Sequence, residues 1–542
     1  MDLKHIIPQQ RRRVYGPSLD IQYSVDRTNV PRVGPTPTFT RASSGTFVNE
    51  NRRIVGKTTS TTSLNPASVR VGGVAVFAVP SGSVVGWLND SVVSVMVDSD
   101  GNDQVDAQAH VTGTLLHKTD TAITLLVTSK AGTATVSSWF VSYRGQRITH
   151  DPVTGRCLGT LIEESKTNLL LRSDNFGTTW QAVQLNTTGT PPYLNVATAP
   201  DGTTTADKLI ANAVLGTHQF RQSVTLVSGT VYSLTCYFKA AEQQFSSISA
   251  FGVANGNVDW VSLFNISSSP AAGTFNGFTS TSVTSSGNGW VRCTVVFTAT
   301  ASGSLEIRLG GASAASGINP HIYLGNGTSG ILLWGAQFEA GLNATSYIPT
   351  TAVAAARAQD LHTITGANFL YMYNQNSGTV FCSHEISSFR SGGNGVYGFQ
   401  APNRAAAGIT AVRNISTLLV TGVYSSPPNF DTQASFASSV AASGQTKSAF
   451  AFRTDDFANS VNGSISTDSS GTLNPIMDRF VIGATGNTAG PQVGNNIFSA
   501  IRLYRDRLPN AELQTLTTTA TETIVYNGVP ILYNGTELIE TT

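Results

Sequence analysis

Short runs of alternating apolar and polar side chains dominate this chain. Residues 231–240, Val231-Tyr-Ser-Leu-Thr-Cys-Tyr-Phe-Lys-Ala240, follow a period of two, which predicts a strand with one face buried. Similar runs occupy 221–226, 290–298 and 305–309. Between residues 57 and 143 the runs fall at 74–79, 83–88, 92–97, 108–116, 122–129 and 133–143. Turn residues separate them, so this stretch is expected to form a small sandwich of immunoglobulin-like size. Long helical patterns are missing. Asn510-Ala-Glu-Leu513 predicts one short helix near the end, with Asn510 as its cap. Residues 1–38 follow neither period, and Pro31, Pro35 and Pro37 interrupt them, so an irregular N-terminal arm is expected. Tyr526-Asn-Gly528 and Tyr533-Asn-Gly535 place tight turns in a C-terminal β-hairpin tail over 518–542. The fold class is all-β, built of tandem β-sandwiches.

Composition adjusts this picture in three ways. A length of 542 residues implies several domains. Only 12% of residues are charged and the net charge is +1, which argues against a nucleic-acid surface, since that needs clustered cations. The four cysteines, Cys157, Cys236, Cys293 and Cys382, are too sparse for a disulfide framework. Buried thiols are expected, and Cys236 and Cys293 lie in strands that could be neighbours. The first ten residues lack the apolar stretch of a signal peptide, and no run approaches the roughly 18 apolar residues of a membrane helix. Synthesis in a cytoplasm, with no membrane insertion, is therefore expected.

Candidate chemistry is thin. No nucleophile elbow, zinc-protease helix, paired-cysteine motif or phosphate loop occurs, so neither an enzyme nor a cofactor is expected. Glu163-Glu164 suggests paired carboxylates for sugar cleavage. Glycoside hydrolysis needs two carboxylates facing each other across a sugar, and neighbours on a strand point to opposite faces. The acidic run containing Asp98, Asp100 and Asn102 has two open readings. Alternate side-chain oxygens suit a calcium ion, but the glycine is out of register for a standard loop, and a polar hairpin turn explains the run as well.

Several phrases are long and specific. Phe39-Thr-Arg-Ala-Ser-Ser-Gly-Thr46 is separated by the 57–143 segment from Arg147-Ile-Thr-His-Asp-Pro-Val-Thr-Gly155 and Leu161-Ile-Glu-Glu-Ser-Lys-Thr-Asn-Leu-Leu170. Ala199-Pro-Asp-Gly202, Ala206-Asp-Lys-Leu209, Trp334-Gly-Ala-Gln-Phe-Glu-Ala-Gly341, Thr345-Ser-Tyr-Ile-Pro-Thr350 and Arg357-Ala-Gln-Asp360 follow. Together they resemble a module of tailed-bacteriophage virion proteins. The resemblance implies an entry module, 39–56 plus 144–159, split by an inserted β-sandwich at 57–143. It further implies a carbohydrate-binding-module-like jelly roll at 160–350 and a laminin-G/concanavalin-A-like lectin domain at 351–517. By this resemblance the protein is a tail fibre or receptor-binding adhesin that contacts host surface glycans. The alternative is a non-adsorbing virion component, such as a capsid decoration, head fibre or collar protein. A depolymerase tailspike fits less well, because the acid pair is missing. Candidate sugar-stacking aromatics are Trp260 and Tyr323 in the jelly roll and Tyr371, Tyr373, Tyr397 and Tyr424 in the lectin-like domain, whereas Trp290 and Trp334 sit in core-like phrases. Arg11, Arg12, Arg13 and Tyr15 are the candidate virion anchor, with a disordered terminus as the alternative. The chain is expected to act as a homo-oligomer, a trimer, bound to other virion proteins.

Overall fold

The computed structural model describes residues 17–22, 31–41, 45–81, 83–85, 87–96, 110–133, 136, 139–187, 193–389, 393–400, 408–413, 418–424, 432–441, 444–473, 476–485 and 492–518, and the backbone of strands in 523–540. Nearly every element is an antiparallel strand, and three β bodies result.

The C-terminal body is a sandwich of an eight-stranded and a seven-stranded sheet. Its eight-stranded sheet centres on the long strand Asn495–Tyr504. Ser377–Ser388 pairs along one edge of that strand. Two short strands share the other edge in tandem. Cys157–Ile162 pairs through Thr160↔Phe498, and Leu19–Ile21 pairs through Leu19↔Leu503. Thr38–Thr40 joins the opposite sheet beside Leu361–Thr365. Leu19, Ile21, Ile148 and Ile162 lie in one core with Val380, Phe399, Phe480 and Ile501.

Two expectations are corrected here. Residues 39–56 and 144–159 do not form a module of their own, because strands of both pieces are built into the C-terminal sandwich. Residues 1–38 are not an arm throughout, since Leu19 and Ile21 are fully buried. A three-residue strand cannot cover its own apolar side chains, so it is stable only on the edge of a sheet that already exists.

Residues 57–143 form one six-stranded antiparallel sheet in the order Lys57–Ser60, Trp139–Tyr143, Val92–Met96, His110–Lys118, Ala122–Ala131, Val74–Ala78. The first and last strands of the segment pair with each other, and the Tyr143 N–H donates to the Gly56 carbonyl at 2.8 Å. The ends of the insert therefore meet. Its core is continuous with the host. Trp87 stacks on Tyr143 with ring centroids 5.1 Å apart, and Phe47, Val55 and Leu161 pack into the same cluster.

The jelly roll is a six-stranded sheet facing a five-stranded one. The six strands run Gln181–Val183, Gln219–Leu226, Gly303–Gly311, Phe245–Gly252, Trp260–Asn265, Ala271–Asn276. The five run Asp207–Ile210, Gly330–Ala340, Val231–Ala240, Trp290–Thr298, Ser280–Ser285. Phe176, Phe220, Phe238, Phe264, Phe297 and Phe338 fill the space between them. Cys236 and Cys293 sit directly opposite each other on adjacent strands, fully buried and free. Burial pushes both thiols up, which keeps them protonated and inert.

Among the described residues the α-helices are Gly366–Met372 and Asn510–Thr517. Pro509 occupies the cap of the second, so Asn510 is its first helical residue and not the cap. The tail has three strands, Thr523–Tyr526, Val529–Tyr533 and Leu538–Glu540, one more than a hairpin. Among the described residues no helix is long and apolar enough to cross a membrane.

Candidate functional site: an ion-locked junction and an open sheet face

The three bodies meet around a buried cluster of three arginines and two carboxylates, drawn from four of the phrases noted in the sequence. Arg41 donates to Asp360 Oδ1 at 2.7 Å and to the carbonyls of Tyr143 and Gly145 at 3.1 and 3.2 Å. Arg147 bridges the two acids. Its Nη1 donates to Glu163 at 2.7 Å and its Nη2 to Asp360. Arg357 closes on Glu163 at 3.0 Å and donates to the Glu164 carbonyl at 2.7 Å. Ser346 supplies its N–H and hydroxyl to Glu163 at 2.8 and 2.6 Å. The side chains of all five charged residues are at most 2% exposed.

Burial alone would raise the Asp360 carboxyl, but Arg147, Arg41 and Arg357 overcome it and hold it at about 2. Glu163 is likewise held below the usual carboxylate range: burial opposes this, and Arg357 and Arg147 outweigh it. For Arg41 burial wins and brings the guanidinium down to about 10, still protonated at neutral pH. The cluster is therefore charged, paired and sealed. Glu163 is committed to it, and Glu164 pairs with Asn495 and Lys166 at 3.0 and 3.2 Å. Neither carboxylate of that pair faces a cleft where a sugar could be cleaved.

Other phrase residues act as buried polar ties in the same way. Asn168 donates to the carbonyls of Ala336 and Ile348 at 3.1 and 2.9 Å and accepts from Leu170 and Phe338, which satisfies its amide. Asp207 accepts from the N–H groups of Phe176 and Asn195, both at 2.8 Å. Glu339 accepts from the N–H and hydroxyl of Thr345 at 2.8 and 2.7 Å. Trp290 and Trp334 are each 1% exposed, in keeping with core phrases.

The candidate aromatics are mostly core residues. Trp260 is packed edge-on against Phe278 and Phe297 at 5.8 and 5.4 Å. Tyr323 lies against His218 and donates to Gln243 at 3.1 Å. Tyr373 and Tyr397 belong to the C-terminal core. A sugar cannot stack on these four, because their ring faces are already covered by neighbours. Tyr371 is exposed, at 62%, on the helix Gly366–Met372. The backbone of Tyr424 lies in a strand of the seven-stranded sheet, but its side chain is outside the described residues, as are Asp98, Asp100, Asn102, Arg11, Arg12, Arg13 and Tyr15.

A different surface presents itself on the outer face of the jelly roll's six-stranded sheet. In Leu305-Glu-Ile-Arg-Leu309 the leucines and isoleucine point into the core, so Glu306 and Arg308 point out. Arg221 lies opposite Arg308 on the neighbouring strand. A polar row crosses the sheet from there. Gln181 accepts from Arg221 at 3.0 Å, Arg221 reaches Glu306 at 3.3 Å, Glu306 accepts from Arg308 at 2.7 Å, and Arg308 donates to Asp259 at 2.9 Å. Arg308 also covers the ring of the partly exposed Phe251 at 5.3 Å. One end of the row opens into a cleft of about 500 Å³ lined by Leu169, Leu171, Gln181, Arg221, Ser223 and Glu306, among others. The charged residues alternating with leucines at 305–309 were the sequence signal for this face.

No protein-family model matches the chain, and no curated protein matches it. Solved structures show partial similarity. One is the CBM40 of a Ruminococcus gnavus IT-sialidase bound to alpha2,3 sialyllactose, 16% identical, with a TM-score of 0.23 over 26% of this chain and 83% of that one. A botulinum neurotoxin type C structure, whose title concerns cell entry through two ganglioside molecules, is 13% identical, with a TM-score of 0.24 over 31% of this chain and 42% of that one. A leech intramolecular trans-sialidase is 16% identical, with a TM-score of 0.25 over 31% of this chain and 28% of that one. At such scores none of them bears on what this chain does.

Proposed function

We propose that this chain is a bacteriophage virion protein, a tail fibre or receptor-binding adhesin, that binds host surface glycan through the outer face of the jelly roll's six-stranded sheet. The phrases at 39–46, 147–155 and 334–350 support the virion reading by their resemblance to phage proteins. The observation that carries the binding reading is the polar row from Gln181 to Asp259 beside its open cleft. A glycan presents hydroxyls on both sides of each ring together with apolar C–H faces. The row offers guanidinium donors and carboxylate acceptors at fixed spacing, held by one another across a rigid sheet. Leu169 and Leu171 line the cleft and give the C–H faces somewhere to rest. Little side-chain freedom is left to lose on binding, which favours affinity. A single site of this kind is shallow and weak. A homo-oligomer, a trimer held in the particle through other virion proteins, would recover affinity through effective concentration. The protein acts by binding and not by cleavage.

Purified full-length protein should bind immobilised surface polysaccharide from its host. Arg221→Ala and Glu306→Ala should each weaken that binding by about tenfold or more, equivalent to roughly 1.4 kcal/mol. Wild-type binding by both variants would refute the site.

A further inference from the structure

The polar row on the jelly roll's outer sheet face leads to a second cavity at its far end. Strand register puts Gln181 opposite Arg221, Arg221 opposite Arg308, Arg308 opposite Ser249, Ser249 opposite Val261 and Val261 opposite Asn276. These residues form one line across all six strands, roughly 24 Å long at about 4.8 Å per step. The cleft beside Leu169 and Leu171 lies at one end of the line. At the other end is a cavity of about 220 Å³, lined by Val261, Leu263, Phe275, Asn276, Asn319 and His321, among others.

The lining combines apolar surface with polar groups that still have bonds to make. In the strand Trp260–Asn265, Trp260 and Phe264 point into the core, whereas Val261 and Leu263 lie outside that core and against the cavity. Phe275 is 46% exposed, so it is not closed off as Trp260 and Tyr323 are. Asn276 Oδ1 accepts from the Val261 N–H at 2.7 Å, which leaves the amide NH2 group to donate. Asn319 is exposed. His321 is buried, its Nδ1 has no hydrogen-bond partner, and its Nε2 stands 4.0 Å from Asp259 Oδ2, the last acid of the row. Burial lowers His321, and Arg308 adds to this against Asp259, so the imidazole is neutral at pH 7. The tautomer that turns its N–H towards Asp259 leaves Nδ1 as a bare acceptor. A buried acceptor without a donor costs free energy, which a ligand N–H would recover.

A ligand that fits must bring a donor, an acceptor and a small apolar end. A sugar hydroxyl has no apolar part to set on Leu263 and Phe275. An acetamido group has all three: an N–H, a carbonyl and a methyl. We infer that this cavity takes the N-acetyl group of an amino sugar, with its methyl on Leu263 and Phe275, its carbonyl accepting from Asn276, and its N–H donating to His321 Nδ1 or to the Asn319 amide oxygen. The inference rests on the reading of the outer face as a glycan site and narrows the ligand. A glycan that fills the line is a chain of several rings, with an N-acetylated sugar at the Phe275 end.

The test uses the full chain and saturation-transfer NMR. The probes are the methyl glycosides of N-acetylglucosamine and N-acetylgalactosamine, each against its plain counterpart, methyl glucoside or methyl galactoside. At least one acetylated probe should bind with a Kd on the order of 1–10 mM and about tenfold or more tighter than its counterpart. Its acetyl methyl should receive the strongest saturation. Phe275→Ala and Asn319→Gly should each cut the preference to about twofold or less. Asn319 has a φ of 51°, which glycine adopts without strain, so the second variant removes the amide and spares the backbone. Arg221→Ala, at the other end of the line, should weaken polysaccharide binding and leave the acetyl preference as it is. Thermal melts should show all three variants folded. The inference is overturned if acetylated and plain probes bind alike, if none binds up to about 50 mM, or if folded Phe275→Ala and Asn319→Gly both keep the preference. Polysaccharide binding that needs Arg221 but shows no acetyl preference would refute this cavity alone. An acetyl preference with polysaccharide binding indifferent to Arg221→Ala would refute the row and support the cavity.

Discussion

Asp360→Asn should destabilise the protein by about 3–5 kcal/mol, the range for removing one partner from a buried ion pair. The amide cannot carry the charge that Arg41 and Arg147 are held against, and both guanidiniums would stay buried. The loss should appear as a lower denaturant midpoint for the C-terminal sandwich, which Asp360 joins to the other two bodies. Asp478→Asn is the control. That acid, 34% exposed, pairs with its chain neighbour Arg479 at the surface, so its loss should cost no more than about 1 kcal/mol. Equal midpoints for the two variants would mean that the cluster is not a lock.

Acid should open the C-terminal sandwich before the jelly roll. His362 and His384 are buried in the sandwich, and burial pulls them down to about 4 and about 3. His362 packs edge-on against Phe39 at 4.8 Å, and the fields of Arg41 and Arg147 oppose its protonation while Asp360 favours it. His384 touches Cys382 at 3.7 Å, and Arg413 disfavours its charge. In the unfolded chain both would titrate near 6.5. As pH falls below that value, the unfolded state takes up protons that the folded state refuses, so stability falls with pH. Complete titration would remove about 3 kcal/mol through His362 and roughly 5 through His384. Asp360 adds to the loss below about pH 4, as its carboxylate is protonated on the way down to its folded value of about 2.

In the jelly roll Asp207 has the opposite sign and works against His321, which burial lowers as it does the sandwich histidines. Burial raises Asp207 to about 6, against the N–H groups of Asn195 and Phe176. The folded state therefore takes that proton first, and the jelly roll gains stability from this group as pH drops from about 6 towards 4. Hydrogen exchange at about pH 7 and about pH 4, corrected for intrinsic rates, checks the prediction. Amides in Ser377–Ser388 and Asn495–Tyr504 should lose protection at the lower pH, and those in Val231–Ala240 and Gly303–Gly311 should keep it. Uniform loss, or loss in the jelly roll first, would contradict the linkage.

Much of the fold was legible in the sequence because strand alternation is local. The strand Val231–Ala240 could be read from ten consecutive residues. Leu19–Ile21 could not, because three residues carry no period and the partner strand lies some 480 positions away. The ion cluster shows the same division. Arg41, Arg147, Glu163, Arg357 and Asp360 all stand in the long phrases that resemble the phage module, yet their convergence is a property of the folded chain, with Arg41 and Asp360 separated by 319 positions. The phrases marked architecture and not a binding site. Trp260 was misplaced for a local reason. Phe264, four residues on in the same strand, shares its face and turns both into the core. Glu306 and Arg308 were open to the opposite inference, since the leucines and isoleucine around them fix their direction.

The most direct test of the adhesin reading is a cryo-electron microscopy map of the whole particle that carries this protein. Several copies should project from the tail, with the sheet face bearing Arg221, Glu306 and Arg308 turned outward and free of other virion proteins. Copies lying flat on the capsid, or with that face covered by a neighbouring protein, would contradict the account and favour a decoration or collar role.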